Sequence, residues 1–454
     1  MNLLKSLELE LKQETKSKKF ENIIQFNDNM YLFSSFKNQK LDKNFLFVQT
    51  IDKKTLQPNS DIIKIAEIDF SGKSKYNGGT YDCCTSPDST RLLVYYDLPY
   101  ETGTNEKFGL QSYDIDMKLV WEKEVSLPYK EELFDVERYR IDNAGNVYIL
   151  GRLYKDKKKE KRKGEPNYQY MVISYTENGN TVKEYPIKID GKFITDMQIT
   201  ISDNLDIICG GFYSDEGTYS IKGCYFLSVD GNTKEIKSKS FKEFDVDFLT
   251  QFLTEKQTEK IEKKIEKGKD VELFNYDLDD IIQRDDGGAV LTAEQYYVVV
   301  TTHTTRNANG TYSTYTTYTY HYNDIIVINI SPDGNIDWAT KIRKYQSSSN
   351  DGGFFSSYTL TVAKDKLYFI FNDNPKNLFT ENSGKIFGTV LNKECIVTLV
   401  EIDGDGNQTR EALFKANDAE VYIRPKVCEQ VSDNELIIFG QKKKAHRLAK
   451  ITFK

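Results

Sequence analysis

Residue types that commonly carry catalysis are scarce in this chain. Histidine occurs three times in 454 residues, as His303, His321 and His446, and none lies in an HxH, HExxH or Cys–His arrangement. The sequence has no GxSxG nucleophile elbow and no GxxxxGK[ST] phosphate loop. Its 69 Asp and Glu could form a carboxylate pair in space, but nothing in the sequence selects one. We therefore predict a binding function, with a carboxylate-based enzyme as the alternative.

Metal and cofactor sites are not predicted either. The six cysteines form no CxxC pair, which excludes a zinc motif and a disulfide framework. Asp403–Asn407 begins like a calcium loop, but Phe414 stands at the twelfth position, where an EF-hand requires a bidentate glutamate. A hairpin turn is the favoured interpretation, and calcium at an Asp-rich turn stays open as the alternative.

The most unusual segment is Thr301–Tyr322, which is rich in threonine and tyrosine around the turn Asn307–Gly310. Its arms are long enough to form a β-ribbon over residues 296–322. Tyrosine offers apolar area together with a hydroxyl, so an exposed set would form a contact surface. The candidate binding residues are Tyr312, Tyr315, Tyr318, Tyr320, Tyr322, His303 and His321. The alternative is a ribbon folded back with its tyrosines buried.

A repeated turn indicates which elements hold these residues. Short apolar runs end at Asn178-Gly179-Asn180, Asp230-Gly231-Asn232, Asp333-Gly334-Asn335 and Asp405-Gly406-Asn407, and a charged alternating run follows each turn. Asn-Gly and Asp-Gly favour the positive φ angles of tight hairpins. Repeated hairpins are typical of a β-propeller.

One complete unit spans residues 136–190 and reads as four strands, VERYRI, VYILGRLY, YQYMVISY and TVKEYPIKI. Seven polar turns precede the apolar second strands along the chain. We therefore predict an all-β, seven-bladed propeller, with six or eight blades as alternatives. Trp121 and Trp338 occupy the same place in their units, which predicts packing between blades.

Two segments are predicted insertions in the repeat, and a third is predicted to complete it. Residues 245–270 carry apolar residues at helical spacing, which predicts an inserted helix or helical hairpin; these are Phe248, Leu249, Phe252, Leu253, Ile261 and Ile265. The ribbon at 296–322 is the second. Residues 1–14 are the third: Lys5–Glu14 alternates like the fourth strand that the last unit lacks, and it is predicted to pair antiparallel with Arg447–Lys454 and close the ring.

The composition of the chain limits the kinds of partner and the location that we expect. The formal charge of −7 is mild and mixed, which gives no reason to expect nucleic-acid binding. No apolar run has the length of a membrane span, and the first residues are too charged for a signal peptide. We expect a soluble, monomeric protein, cytoplasmic unless a leader was removed, in which case it would be periplasmic or on the cell surface.

Several stretches, 31–58, 337–353, 366–377 and 421–454, resemble an uncharacterised family of bacterial β-propeller proteins. The resemblance covers most of the chain and implies the propeller fold, but no activity, cofactor or site residue. Together with the missing catalytic motifs, it predicts a non-enzymatic scaffold that binds a protein or a glycan through its inserted loops. The alternative is a glycan-active hydrolase or lyase with its site at the mouth of the central channel.

Overall fold

The computed structural model describes residues 6–8, 11–13, 16–26, 29–73, 75–158, 161–162, 165–189, 191–202, 204–215, 221–231, 233, 235–251, 255–267, 273, 275–284, 286–306, 309–379, 385–443 and 445–453. Nearly all regular structure in these residues is β-strand, which confirms the all-β prediction. The strands form several antiparallel sheets, and the architecture is propeller-like.

The first part of the chain forms three four-stranded sheets, preceded by three short strands, β1 (Ser6–Glu8), β2 (Lys12–Gln13) and β3 (Lys16–Ser17). Sheet 1 contains β4 (Lys19–Phe26), β5 (Asn29–Asn38), β6 (Lys43–Ile51) and β7 (Ile63–Asp69). Sheet 2 contains β8 (Thr80–Thr85), β9 (Leu92–Asp97), β10 (Asn105–Tyr113) and β11 (Leu119–Lys130). Sheet 3 contains β12 (Phe134–Ile141), β13 (Val147–Tyr154), β16 (Tyr168–Thr176) and β17 (Thr181–Ile187), with the small hairpin β14 (Lys161–Arg162) and β15 (Glu165–Pro166) between its middle strands.

Four further sheets follow in the same order of strands. Sheet 4 contains β18 (Lys192–Ile201), β19 (Ile207–Asp215), β20 (Gly223–Val229) and β21 (Ile236–Glu243). Sheet 5 contains β22 (Tyr276–Gln283), β23 (Ala289–Arg306), β24 (Tyr312–Ile330) and β25 (Ile336–Ile342), and β26 (Gln346–Ser349) also pairs with β24. Sheet 6 contains β27 (Thr359–Ala363), β28 (Lys366–Asp373), β29 (Ile396–Ile402) and β30 (Gln408–Lys415). Sheet 7 contains β31 (Tyr422–Ile423), β32 (Glu429–Ser432), β33 (Glu435–Lys442), β34 (Ala445–Thr452) and β1.

The core lies between the sheets rather than within one of them. Each hydrophobic cluster joins one sheet to the next along the chain, from sheets 1 and 2 through to sheets 6 and 7. A further cluster joins sheet 7 back to sheet 1, with Phe439 stacked on Phe20 at 4.4 Å between ring centroids. First strands of neighbouring sheets also contact one another, including β32 of sheet 7 and β4 of sheet 1.

Burial along the strands follows from this packing. The second and third strands of a sheet are covered on both faces and are almost continuously buried, as in β28 and β29. The fourth strands lie at the sheet edges and are more exposed, as in β17. Trp121 of sheet 2 and Trp338 of sheet 5 each pack against a turn glycine of the next sheet, Gly179 and Gly406 respectively. The predicted packing of these tryptophans between neighbouring units is confirmed.

Three of the four repeated turns contain a glycine with positive φ, at Gly179, Gly334 and Gly406. Gly231 differs, because its φ is not positive. A side chain is excluded there for another reason: a Cβ would lie 1.9 Å from the carbonyl oxygen of Leu205.

Residues between sheets 4 and 5 contain two helices, α1 (Val246–Thr250) and α2 (Glu255–Glu266). Asp245 caps α1, since its carboxylate accepts the backbone N–H of Phe248 at 2.8 Å. Phe248 and Leu249 pack into the cluster between sheets 4 and 5. Phe252, Leu253 and the side chain of Ile265, which were part of the helical prediction, lie outside the described residues. A third helix, α3 (Ala416–Ala419), follows sheet 6. No helix in the described part of the chain is long and apolar enough to cross a membrane.

Both ends of the sequence contribute to sheet 7. Ser6–Glu8 pairs antiparallel with Arg447–Ala449, with Leu7 opposite Leu448. Lys12–Gln13 pairs instead with Lys16–Ser17, so the two segments of Lys5–Glu14 differ in their pairing. Leu11 packs against the cluster between sheets 7 and 1. That residues 1–14 as a whole act as a closing strand remains a prediction.

Candidate functional site

The connections of each sheet separate into two ends. In a four-stranded antiparallel sheet, the first-to-second and third-to-fourth turns lie at one end, and the second-to-third and sheet-to-sheet connections lie at the other. The repeated Asp-Gly turns all belong to the first group, which we call the short-turn end. The ribbon, the two helices of 246–266 and the long segments 155–167 and 374–395 all belong to the second group, the long-connection end. These four insertions therefore lie at the same end of the molecule, where loops can contact a partner.

The ribbon is formed by the outer halves of β23 and β24, residues 296–306 and 312–322. Their register places residues on two faces. One face carries Val298 opposite Tyr320, Val300 opposite Tyr318 and, near the tip, Arg306 opposite Tyr312. The other face carries two stacked pairs, His303 on Tyr315 at 4.8 Å and Tyr297 on His321 at 4.5 Å between ring centroids.

The predicted binding residues divide into an outer and an inner group. Tyr312, Tyr315 and Tyr318 are 70%, 57% and 46% exposed, and His303 is exposed beside Tyr315. Tyr320, His321 and Tyr322 are half-buried near the root, where Tyr322 packs on Tyr296 at 4.8 Å. The outer tyrosines are therefore not covered by the propeller-like body, and the ribbon presents apolar area on both faces.

The root of the ribbon is fixed by a buried ion pair. Lys344 Nζ lies 2.6 Å from Glu294 Oε1, and the two side chains are 0% and 3% exposed. The same Nζ donates to the carbonyl of Tyr322 at 2.9 Å, while Ser357 Oγ donates to Glu294 Oε2 at 2.6 Å. Burial lowers the pKa of Lys344, and Glu294 opposes that effect. These contacts join both ribbon strands to the segment that leads into sheet 6.

Further exposed apolar residues lie on connections at the same end, and sequence reasoning missed them. Tyr345 and Phe354 come from the connection between sheets 5 and 6. Phe379 and Val390 come from the connection between β28 and β29, and Gln346 next to Tyr345 bridges to Thr389 next to Val390. No local motif marks them, because exposure depends on which neighbours the fold leaves out.

Charged side chains surround the start of the first strands at the long-connection end. Arg152 pairs with Glu137 at 3.0 Å and lies over the ring of Tyr170. Burial raises the pKa of Asp196, whose carboxylate accepts the backbone N–H of Leu278 at 2.7 Å. Burial, followed by the charges of Asp196 and Asp279, raises the pKa of Asp277 to about 7. Such perturbed carboxyl groups are common in functional sites and also in structural ion-pair networks.

A cavity of about 480 Å³ opens near the short-turn end of the same first strands. Its lining comes from six sheets and includes Asn22, Cys84, Arg140, Thr200, Asp280 and Glu429. Arg140 forms an ion pair with Asp280. Burial raises the pKa of Glu429 to about 8, so this carboxyl group is mainly protonated at neutral pH. The lining of the cavity thus includes a carboxyl group of raised pKa and an ion pair.

Among the described residues, no group of three or more His, Cys, Asp or Glu is arranged to hold a metal ion. The carboxylate of Asp403 accepts the backbone N–H groups of Asp405 and Asn407 at 3.0 and 2.9 Å. It stabilises the hairpin turn, as the favoured interpretation of that segment predicts.

Comparison with known proteins identifies no family. No family model matches the chain, and no curated protein matches it. Among solved structures, an ulvan lyase of polysaccharide lyase family 25 matches 98% of this chain and 96% of its own, with 8% identity and a TM-score of 0.46. The β-propeller domain of the trilobed protease from Pyrococcus furiosus matches 96% of this chain and 94% of its own, with 10% identity and a TM-score of 0.42. A protein of unknown function from Bacteroides caccae matches 72% of this chain and 83% of its own, with 10% identity and a TM-score of 0.33. At these identities and scores, the likeness assigns no activity to this chain.

Proposed function

We propose that this chain is a monomeric, non-enzymatic propeller of seven blades that binds a protein partner at its long-connection end. Each of sheets 1 to 7 is one blade of a closed ring in this proposal. The clusters between successive sheets, and the one between sheets 7 and 1, support the closed arrangement. A ring of packed blades gives a rigid platform, so inserted loops can hold a fixed position.

The observation that carries the proposal is the exposed ribbon. Val298, Val300 and Tyr318 lie together on one face and are all exposed. Apolar and aromatic side chains on a projecting element cost solubility unless they contact something. A protein partner is favoured over a glycan because the valines add purely apolar area, which a polar sugar surface does not match. Tyrosine is also enriched at protein interfaces.

Replacing Tyr312, Tyr315 and Tyr318 together with serine is expected to remove the bound partner. The three side chains are exposed, so thermal stability should change by little, as for most surface substitutions. The measurement is affinity purification from cells of the source organism with quantitative mass spectrometry, beside a glycan array. Replacing Ile115 and Leu119 with serine, two exposed apolar residues at the short-turn end, provides the matched control.

Proteins that are enriched by the wild type and by the control, but not by the triple variant, are the expected result. Enrichment that is equal for all three would contradict the proposal. Binding on the glycan array that is lost in the triple variant would change the partner from a protein to a glycan.

A second candidate function is favoured by the cavity at the first strands. Burial raises the pKa of Glu429 to about 8, which favours its protonated form at neutral pH, and Asp280 forms an ion pair with Arg140. An acid and a carboxylate at one cavity are the groups that glycoside hydrolysis needs. This supports a glycan-active hydrolase or lyase as the alternative to the binding scaffold.

If this alternative holds, Glu429 acts as the general acid and activity depends on its proton. Activity on polysaccharides should then be constant below its pKa of about 8, fall as the pH rises above it, and be lost in Glu429→Gln. The measurement is release of reducing ends from a polysaccharide panel between pH 5 and pH 10. Glu122→Gln, a substitution on β11 away from the cavity, is the control. Equal activity of Glu429→Gln and the wild type would exclude this role.

A further inference from the structure

The ribbon leaves one long strand edge open. β22 pairs with β23 only as far as Gln295, and no other strand in the described part of the chain pairs with residues 296–306 from that side. Apart from Tyr296, whose N–H is bonded to Asn275, the open edge comprises residues 297–306. Backbone N–H and C=O groups on such an edge can accept another strand.

Hydrogen bonds at the root show which residues point outward. Tyr318 directs its backbone away from β23, because its N–H donates to Asn350 Oδ1 and its C=O accepts the N–H of Asn350, both at 2.9 Å. Val300 lies opposite Tyr318, and the two residues form no backbone hydrogen bonds with each other. The N–H and C=O groups of Val300 therefore point away from β24, towards the open edge. Tyr296 follows the same alternation, since its backbone N–H donates to the carbonyl oxygen of Asn275 at 2.8 Å on the side away from β24.

Because the alternation has a period of two, the outward N–H and C=O groups belong to Val298, Val300, Thr302 and Thr304. Each pair of groups is spaced as an antiparallel or parallel strand requires. The side chains of Val298 and Val300 on one face and Val299 on the other are exposed beside this edge. An added strand would extend both faces of the ribbon.

The edge lacks the features that normally prevent strand addition. Between Tyr296 and Thr305 there is no Asp, Glu, Lys, Arg or Pro. Other edge strands of this protein are protected: β11 contains Lys123 and Pro128, and β17 contains Lys183 and Pro186. The contrast within one molecule indicates that the ribbon edge is kept open.

The opposite edge of the ribbon shows that strand addition occurs here. β26 adds to β24 over residues 319–322, antiparallel, with Gln346 opposite Tyr322 and Ser349 opposite Thr319. β26 consists of one glutamine and three serines, and these uncharged residues suit the neutral ribbon. A partner strand on the β23 edge would need the same neutral character.

We propose that the partner binds as an extended, uncharged peptide segment that adds to β23 along Val298–Thr304. Main-chain hydrogen bonds to the four outward residues supply the register, and β-branched or aromatic side chains at alternate positions of the peptide cover the exposed valines. This rests on the proposed function, in which the ribbon binds a protein, and specifies the kind of segment that it takes.

The test uses a phage-displayed library of random twelve-residue peptides, selected on the immobilised full-length protein. Selected peptides should be poor in charged residues and should slow the hydrogen exchange of the amides of Val298, Val300, Thr302 and Thr304. Val300→Pro with Thr302→Pro removes two outward N–H groups without removing a bond to β24, and should weaken peptide binding at least tenfold. Val300→Lys with Thr302→Lys is a second edge variant. Unchanged exchange at Val299 and Thr301 shows that the ribbon of a variant is intact.

Each outcome separates this inference from the proposed function. Peptides that bind both edge variants like the wild type, but not the triple tyrosine variant, overturn strand addition and leave ribbon binding standing. Peptides that bind all variants equally overturn both. A failure to select any peptide, or a dimer in light scattering that the edge variants dissociate, overturns the inference, since the edge would then take no peptide or a second copy of the chain.

Discussion

Replacing Lys344 with methionine is expected to destabilise the protein by about 3–5 kcal/mol, because a buried carboxylate loses its counter-charge. Glu294 is almost completely buried, and Lys344 is the cation beside it, at 2.6 Å. The variant also loses the hydrogen bond from Nζ to the carbonyl of Tyr322, and with it the link to the ribbon root. Urea unfolding monitored by intrinsic fluorescence measures the loss.

The double variant Lys344→Met with Glu294→Gln is the matched control. It removes both charges, so most of the lost stability should return, as expected when a buried ion pair is replaced as a unit. If the single variant unfolds at the same urea concentration as the wild type, the pair does not fix the ribbon root.

Removal of residues 1–14 is expected to cost several kcal/mol, the second large effect. The deletion removes the strand Ser6–Glu8 from the edge of sheet 7 and takes Leu11 out of the cluster between sheets 7 and 1. Because that cluster joins the last sheet to the first, weakening it should loosen the contact between the two sheets and make unfolding less cooperative. Differential scanning calorimetry reports both the midpoint and the cooperativity.

A variant with Leu7→Pro separates the two contributions of this segment. It removes the backbone N–H of Leu7, which lies opposite Leu448, and keeps Leu11, so it should lose part of the stability lost in the deletion. A deletion variant that melts within a degree or two of the full chain would contradict the role of residues 1–14 as the closing strand.

The sheets could be predicted from the sequence because their signals are local. Asp333-Gly334 and Asn178-Gly179 require positive φ at a hairpin turn, and Gly334 and Gly179 have it. The equivalence of Trp121 and Trp338 could also be seen, since both follow the same turn and both pack on the next sheet. Repetition made each of these signals visible several times in one chain.

The organisation of the site could be predicted only in part. The length and composition of 296–322 indicated a ribbon with tyrosines, but not which tyrosines are exposed. That depends on the register, which places Tyr312 and Tyr318 on a different face from Tyr315. The pairing of Lys344 with Glu294 joins residues fifty positions apart, and no spacing rule connects them.

The exposed residues of the long-connection end are brought together by the topology of the sheets and are not marked by any sequence motif. Phe354 and Phe379 are ordinary apolar residues in the sequence, yet both are exposed on connections at the end that carries the ribbon. Glu429 is likewise unremarkable in sequence, and its raised pKa comes from burial among the first strands. Such features require the arrangement of distant segments, which a single sequence does not show.

Site-specific photo-cross-linking can show whether the ribbon binds a protein partner. p-Benzoylphenylalanine is placed at Tyr318 on the ribbon in one protein and at Ile115, at the short-turn end, in another. Both positions are exposed, so neither substitution should disturb the fold. We expect a protein cross-linked through Tyr318 and none through Ile115. Cross-linking through Ile115 without cross-linking through Tyr318 would contradict it.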